Sequence, residues 1–211
     1  MSTGSYLGMM RMGRDRKSKH KLSRREGKDL FGTGGESLQR RLDQPPGMHG
    51  RKPNRKESVY AEQLREKQKV KRMYGLREDQ FRRFMDMALQ SREQTGLALL
   101  KLLERRLDNI VYRLGLARTR PQARQFVTHG LVRVNGKRLN IPSYIMKPGE
   151  EIEMKQSGLE IPDVQELAES GQPIPGWLEK RDGGGVVLRE PSREEIDPDI
   201  QEQRIVEFYS R

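Results

Sequence analysis

The sequence contains no cysteine. That excludes disulfides, thiolate zinc sites and a cysteine nucleophile, and it fits a reducing compartment. Long apolar runs are missing too. No stretch approaches the ~20 residues of a membrane-spanning helix, and Tyr6-Leu7-Gly8-Met9-Met10 is too short for a signal-peptide core. The expectation is a soluble protein, not secreted and without a membrane partner. Aromatic residues are scarce at 6%, and the single tryptophan, Trp177, lies in an acidic stretch. An anionic membrane surface calls for the opposite, a basic amphipathic helix carrying Trp, Phe or Leu. Hydrophobic residues make up only 33% of the 211 positions. That is little for one compact domain, yet too much for a disordered chain, so two modest cores are expected behind a thinly packed N-terminal arm.

What the sequence has in excess is positive charge, unevenly placed. The net charge is +12. Residues 1–72 contribute +12, residues 73–155 contribute +7, and residues 156–211 contribute −7. The first two-thirds therefore face a polyanion, and nucleic acid is the leading one.

Residues 1–57 are rich in Gly, Arg and Lys, with Gly32-Thr33-Gly34-Gly35 and Pro45-Pro46-Gly47 as loop punctuation. Short helices are expected at 23–31 and 36–42, in an arm that orders on RNA. Ser58 to Tyr74 reads as a helix with Ser58 as N-cap and Gly75 as its stop. A second helix is expected over 77–89, with Phe81, Phe84, Met85 and Ala88 in its apolar stripe, and a third from Thr95. Leu103, Leu107, Ile110, Val111 and Leu114 continue at helical spacing up to Gly115. Thr119 and Gln122 have capping-box spacing and open a helix that ends at Gly130. The period then becomes two. Val132 and Val134 alternate with polar neighbours, Asn135-Gly136 is a strong hairpin signal, and 137–141 and 151–154 read as returning strands. After Gly183-Gly184-Gly185, read as flexible, 186–188 is a candidate strand, and 200–209 carries enough apolar area to dock.

Catalytic constellations are thin. His20, His49 and His129 lack metal-ligand spacing and suit phosphate contact or capping. Gly32-Thr33-Gly34-Gly35 lacks the Lys-Ser/Thr of a phosphate-cradling loop. No carboxylate pair stands out in an apolar setting. The informative feature is a face of Arg118, Arg120, Arg124, Lys137 and Arg138 beside a helix start. Arg120 and Arg124 are read there as one turn apart on the exposed side, without acidic partners at i±4. Guanidinium forks and free helix N–H groups both suit phosphate.

Leu103 to Gly115, Arg118 to Gln125 and Val132 to Lys137 closely resemble the RNA-binding module of the small-subunit ribosomal protein four family. That module alone also occurs in pseudouridine synthases and some synthetases. The flanks narrow the resemblance to the bacterial-type family: Lys21 to Gly27, Pro46 to Gly50, Leu64 to Val70, Gln80 to Phe84 and Ile205 to Ser210 match in the family's order. Some members bind zinc through N-terminal cysteines. His20 and Ser23 stand where the first two would be, so no metal and no cofactor is expected.

The resemblance implies a mostly α fold with a small β component (α+β). It divides the chain into a basic arm over 1–57, a helical domain over 58–102 completed by 160–211, and an inserted module over 103–159. It implies no enzymatic activity, and a structural role in the small ribosomal subunit in the bacterial cytoplasm. By that resemblance the protein binds the five-prime domain of small-subunit rRNA early in assembly, contributes with ribosomal protein five to translational accuracy, and is not a homo-oligomer in the ribosome. The cations it points to are Lys21, Arg24, Arg25, Arg65, Lys67, Lys69, Lys71, Arg72, Arg82, Arg83, Arg105, Arg106, Arg118, Arg120, Arg124, His129, Lys137 and Arg138. Arg51, Lys52, Arg55 and Lys56 resemble the segment lining the mRNA entry channel, beside ribosomal proteins three and five. An RNA-modifying enzyme needs a second catalytic domain, and the Gly/Pro-broken C-terminal stretch is too small for one.

Overall fold

A computed structural model describes residues 17–47, 58–171 and 173–210. The fold is α+β, as expected. Short helices α1 (Lys19–Glu26) and α2 (Glu36–Gln39) lead into α3 (Val59–Met73), α4 (Glu78–Leu89) and α5 (Thr95–Glu104). The module follows with α6 (Leu107–Arg113), α7 (Arg120–Thr128), β1 (Val132–Val134), β2 (Lys137–Arg138) and β3 (Glu151–Met154). Then come α8 (Gln156–Leu159), α9 (Pro162–Ser170), β4 (Leu178–Arg181), β5 (Gly184–Val187) and α10 (Glu202–Tyr209).

Local signals act as the sequence predicts at several ends. Ser58 Oγ accepts from the Ala61 N–H at 3.3 Å and caps α3. At the other end of α3, Leu76 N donates to Lys71 O and Gly75 N to Arg72 O, the paired bonds of a glycine-stopped helix. Thr119 Oγ1 accepts from Gln122 N, but the Gln122 side chain accepts from Arg118 N rather than closing the box on Thr119. Asn135 and Gly136 both take positive φ, 48° and 73°, the turn that matches the twist of a two-residue hairpin.

Three expectations are corrected. The helix expected over 23–31 runs over Lys19–Glu26, because the chain turns at Gly27. The helical spacing through Leu103 and Leu107 hides a break at Arg105-Arg106. There the backbone turns extended at Arg106 and pairs with the segment after β2: Met146 N donates to Arg105 O, Leu107 N to Tyr144 O, and Asp108 N to Pro142 O. The strand expected over 137–141 is shorter, Lys137–Arg138, followed by one further bond to β1 from Leu139 N to Val132 O at 3.4 Å. Finally, Gly184 and Gly185 are not a flexible lead but buried strand residues. A Cβ on Gly184 would lie 1.9 Å from Ile152 O, and one on Gly185 2.6 Å from Glu179 O. Only glycine permits that approach.

The sheet has five antiparallel strands in the order β2-β1-β3-β5-β4. One core lies between it and α6–α7, built on Leu107, Ile110, Leu114, Phe126, Val132 and Ile152, with Trp177 fully buried in it. Val164, Leu178 and Val187 belong to this core. The second core packs α3, α4 and α5 through Val70, Phe81, Met85, Leu99 and Leu103, and Ile196, Ile200 and Ile205 complete it. α10 lies against α3 and α5; Gly96 lets it close in, since a Cβ there would meet Glu202 Cγ at 2.7 Å. Glu78 accepts from Lys67 at 2.6 Å, Lys71 at 2.7 Å and Tyr209 at 3.0 Å. Burial raises the Glu78 carboxyl, but the hydrogen bonds from Lys67 and Lys71 outweigh that and hold it at about 2.

A buried polar joint connects the two cores. Glu104, fully buried at the end of α5, accepts from Tyr74 Oη at 2.6 Å, from Asn109 Nδ2 at 2.7 Å, and from both Arg113 Nε at 3.0 Å and Nη2 at 2.7 Å. Burial pushes its carboxyl up, yet the charge and hydrogen bonds of Arg113 more than reverse this and leave it below its ordinary value. Arg120 donates to Asn109 Oδ1 at 2.8 Å, with its guanidinium 5.0 Å from the ring of Tyr74 and 4.6 Å from that of Tyr112. Tyr74 belongs to one core and Tyr112 packs against the other. Arg106, also buried, grips Asp108 with two hydrogen bonds, 3.0 and 2.6 Å, and lies 5.5 Å from the ring of Phe84.

Replacing Glu104 with Gln leaves the partly buried Arg113 against a neutral partner and is expected to cost roughly 3 kcal/mol of stability, the lower end for breaking a buried pair. The depressed carboxyl contributes its stability fully above about pH 4.3, the ordinary Glu value, and loses it as pH falls through the lower folded value. Urea unfolding at neutral and acid pH should therefore show a smaller acid loss in Glu104→Gln than in the wild type. Equal losses would contradict this role.

Candidate nucleic-acid interface

The cations singled out in the sequence divide into two groups. The first is committed to the protein's own carboxylates and carbonyls. Arg24 donates to Gln44 O at 2.9 Å and Pro45 O at 3.3 Å, fixing α1 to the loop after α2. Arg65 and Arg72 both pair with Glu26, whose carboxyl burial nonetheless pushes up. Lys69 reaches Glu66 at 2.8 Å and Asp199 O at 2.7 Å. Lys67 is buried, with its ammonium 4.3 Å from the ring of Phe208 as well as bonded to Glu78. Lys71 shares that carboxylate. Arg105 donates to Met146 O at 2.8 Å and pairs with Glu190.

The reading of Arg120 and Arg124 as an exposed, unpartnered pair is corrected. Both are partly buried, and their partners come from α6 rather than from i±4 positions on α7. Arg120 is held in the joint, and Arg124 Nη1 donates to Asp108 at 3.3 Å. Arg106 is fully buried and presents nothing to solvent. Arg118 is exposed but paired with Glu166 and, at 3.8 Å, with Asp163.

The side chains of the second group are exposed and, among the described residues, make no ion pair or hydrogen bond: Lys21 and Arg25 on α1, Arg82 and Arg83 on α4, His129 after α7, and Lys137 and Arg138 in β2. The hairpin register sets Arg138 opposite Arg133, a further exposed cation on β1 that the alternation of that strand already marked. Arg51, Lys52, Arg55 and Lys56 lie outside the described residues.

Sequence reasoning missed the joint. Glu104 was one glutamate among many, and its isolation among Leu100, Leu103 and Leu107 was the signal available. It also missed a cavity of about 320 Å³ between α1, the α3–α4 turn and the start of α7. Leu22, Phe31, Met73 and Leu76 give it apolar walls, and Lys19, Arg120 and Arg124 give it cations.

Two family descriptions match consecutive stretches of the chain. Residues 14–104 match "Ribosomal protein S4/S9 N-terminal domain", and residues 105–152 match "S4 domain". The boundary between them falls at the break between α5 and α6. The chain is 51% identical over 199 residues to small ribosomal subunit protein uS4 of Dictyoglomus turgidum, an alignment covering 90% of this chain and 96% of that protein. It is 49% identical over 201 residues to the uS4 of Aquifex aeolicus, covering 90% and 95%. With the uS4 of Variovorax paradoxus it shares 46% identity over 200 residues, covering 92% and 97%. Sequence identity and domain matches agree: this chain belongs to the uS4 family of small-subunit ribosomal proteins, a structural and non-enzymatic family.

Proposed function

We propose that this protein is a primary rRNA-binding component of the small ribosomal subunit in the bacterial cytoplasm, and that it nucleates folding of the five-prime domain. The observation that carries the reading is the placement of the unpaired cations. The exposed cations that no internal pair takes up include Lys21, Arg25, Arg82, Arg83, Lys137 and Arg138, on α1, α4 and the hairpin. These elements belong to both sides of the joint. Rigidly spaced cations of that kind neutralise phosphates of converging RNA helices, which otherwise repel one another. Shape and backbone geometry are then read more than base edges.

The arm over 1–57, the helical domain over 58–102 and the module over 103–159 are the working parts. Within 160–211, the residues through Val187 serve the module and those from Ile196 the helical domain, following the cores they pack into. Arg118, Arg120 and Arg124 act chiefly by holding the two bodies in register, with Arg118 open to exchange its acidic partners for phosphate. In the assembled subunit the protein contributes, with ribosomal protein five, to accuracy. With ribosomal proteins three and five it contributes to the mRNA entry channel through Arg51, Lys52, Arg55 and Lys56. Cations beside a channel favour single strands, whose backbones track a positive groove.

Binding to a five-prime-domain rRNA transcript is expected to weaken linearly in log–log salt titrations, by roughly 0.7–0.9 per neutralised phosphate. Lys137→Ala with Arg138→Ala should lower that slope by about two phosphates' worth without changing the thermal midpoint. A slope near zero in the wild type contradicts an electrostatic mechanism, and an unchanged slope in the variant removes the hairpin from the interface.

Replacing Arg51, Lys52 and Arg55 with Ala should slow translation through stable message hairpins, with subunit assembly and unstructured messages unaffected. Equal slowing on both kinds of message would assign these residues to general rRNA anchoring.

A further inference from the structure

Phe31 belongs to neither hydrophobic core. It is partly buried just after α1, with the Lys19 ammonium 5.9 Å from its ring centroid. Its ring instead lines the 320 Å³ cavity, together with Leu22, Met73 and Leu76. Leu22, Leu30 and Leu38 of the same segment are buried outside both cores as well, but Phe31 keeps part of its ring exposed toward the cavity. The cavity's cations include Lys19, Arg120 and Arg124, and the only carboxylate in its lining, Asp108, is already held by Arg106 and Arg124. The described lining therefore combines apolar walls, one aromatic face and a net positive charge, in which Arg120 and Arg124 keep partners in α6 and Lys19 lies over the Phe31 ring.

That combination suits a flat, weakly polar ring carrying an anionic group. A nucleobase stacks on an aromatic face whatever its identity, and its phosphate is met by Lys and Arg. The volume sits at the lower end of small-ligand sites, which span roughly 300–1,000 Å³. Single-stranded loops and junctions of RNA supply bases that leave their stack readily.

We propose that this cavity receives one unstacked nucleotide of the bound RNA, with its base against Phe31 and its phosphate toward Lys19, Arg120 and Arg124. The inference rests on the RNA-binding reading above and adds a non-ionic, stacking contact to it. Insertion of the chain's own residues 1–16, which join it at Lys17, is the rival occupant.

The test uses the full chain and a five-prime-domain transcript of small-subunit rRNA. Ultraviolet cross-linking followed by peptide mapping should join a single nucleotide to the peptide containing Phe31. Phe31→Ala should weaken binding roughly five- to a hundred-fold, the range for losing one stacked base. It should leave the slope of log affinity against log salt unchanged, since no phosphate contact is removed. Phe31→Trp should retain wild-type affinity, and Lys19→Ala should lower the slope by about one phosphate's worth. Thermal midpoints of all variants, measured in parallel, confirm that each is folded. Wild-type affinity in Phe31→Ala overturns the proposal. So does an equal loss in Phe31→Trp, which marks a packing role, or a cross-link joining residues 1–16 to the cavity walls. Absence of any wild-type binding to the transcript overturns the RNA-binding reading itself, and this inference with it.

Discussion

Glu104 is the constraint on which the arrangement depends. A carboxylate taken wholly out of water is tolerable only when its lone pairs are filled and its charge is countered. Here Arg113 forks onto it, and Tyr74 and Asn109 complete the shell. Those partners come from α6 and from the end of α3, so satisfying the charge fixes where both lie relative to α5. Arg120 extends the same constraint into α7 through Asn109 and through its position between two tyrosine rings. A purely apolar junction would tolerate sliding. Directional hydrogen bonds to a buried charge do not, because each displacement leaves a desolvated group without a partner.

The charge distribution follows from that constraint. Many of the cations that make the first two-thirds of the chain basic are consumed internally, in pairs such as Arg65 and Arg72 with Glu26, or Lys67 and Lys71 with Glu78. Lys28 pairs with Asp197 and Asp199, which draws the acidic C-terminal segment against the basic N-terminal one. The negative charge of residues 156–211 thus acts partly as an internal counterweight. Among the cations that remain exposed are those on α1, α4 and the hairpin, held at set distances by a scaffold that has already neutralised part of its own repulsion.

Much of this architecture was legible in the sequence where the deciding physics is local. Ser58, Thr119, Gly75 and Asn135-Gly136 act through their immediate neighbours, and the structure uses them as the pattern indicates. The break at Arg105-Arg106 was hidden because apolar spacing continues across it; what interrupts the helix is pairing with Tyr144 to Met146, some forty residues away. β4 escaped notice because Leu-Glu-Lys-Arg carries no strand alternation, and its existence depends on β5 beside it. Gly184 looked flexible for the same reason: glycine signals both freedom and close approach, and only the neighbouring carbonyl of Ile152 distinguishes them. The candidate site was legible as a set of cations but not in its division of labour. Arg120 read as a phosphate ligand from its own helix face and Arg106 from the resemblance, whereas their partners Asn109, Asp108 and the rings around them are brought in by tertiary packing.

The central claim is that the two bodies form one rigid unit before any RNA is bound. Residual dipolar couplings of the free full-length chain measure this directly, by comparing the alignment of amides in α3–α5 with that of amides in α6, α7 and the sheet. The account predicts that a single alignment tensor fits both sets in the wild type, and that Glu104→Gln requires two. A wild-type protein that already requires two tensors would contradict it.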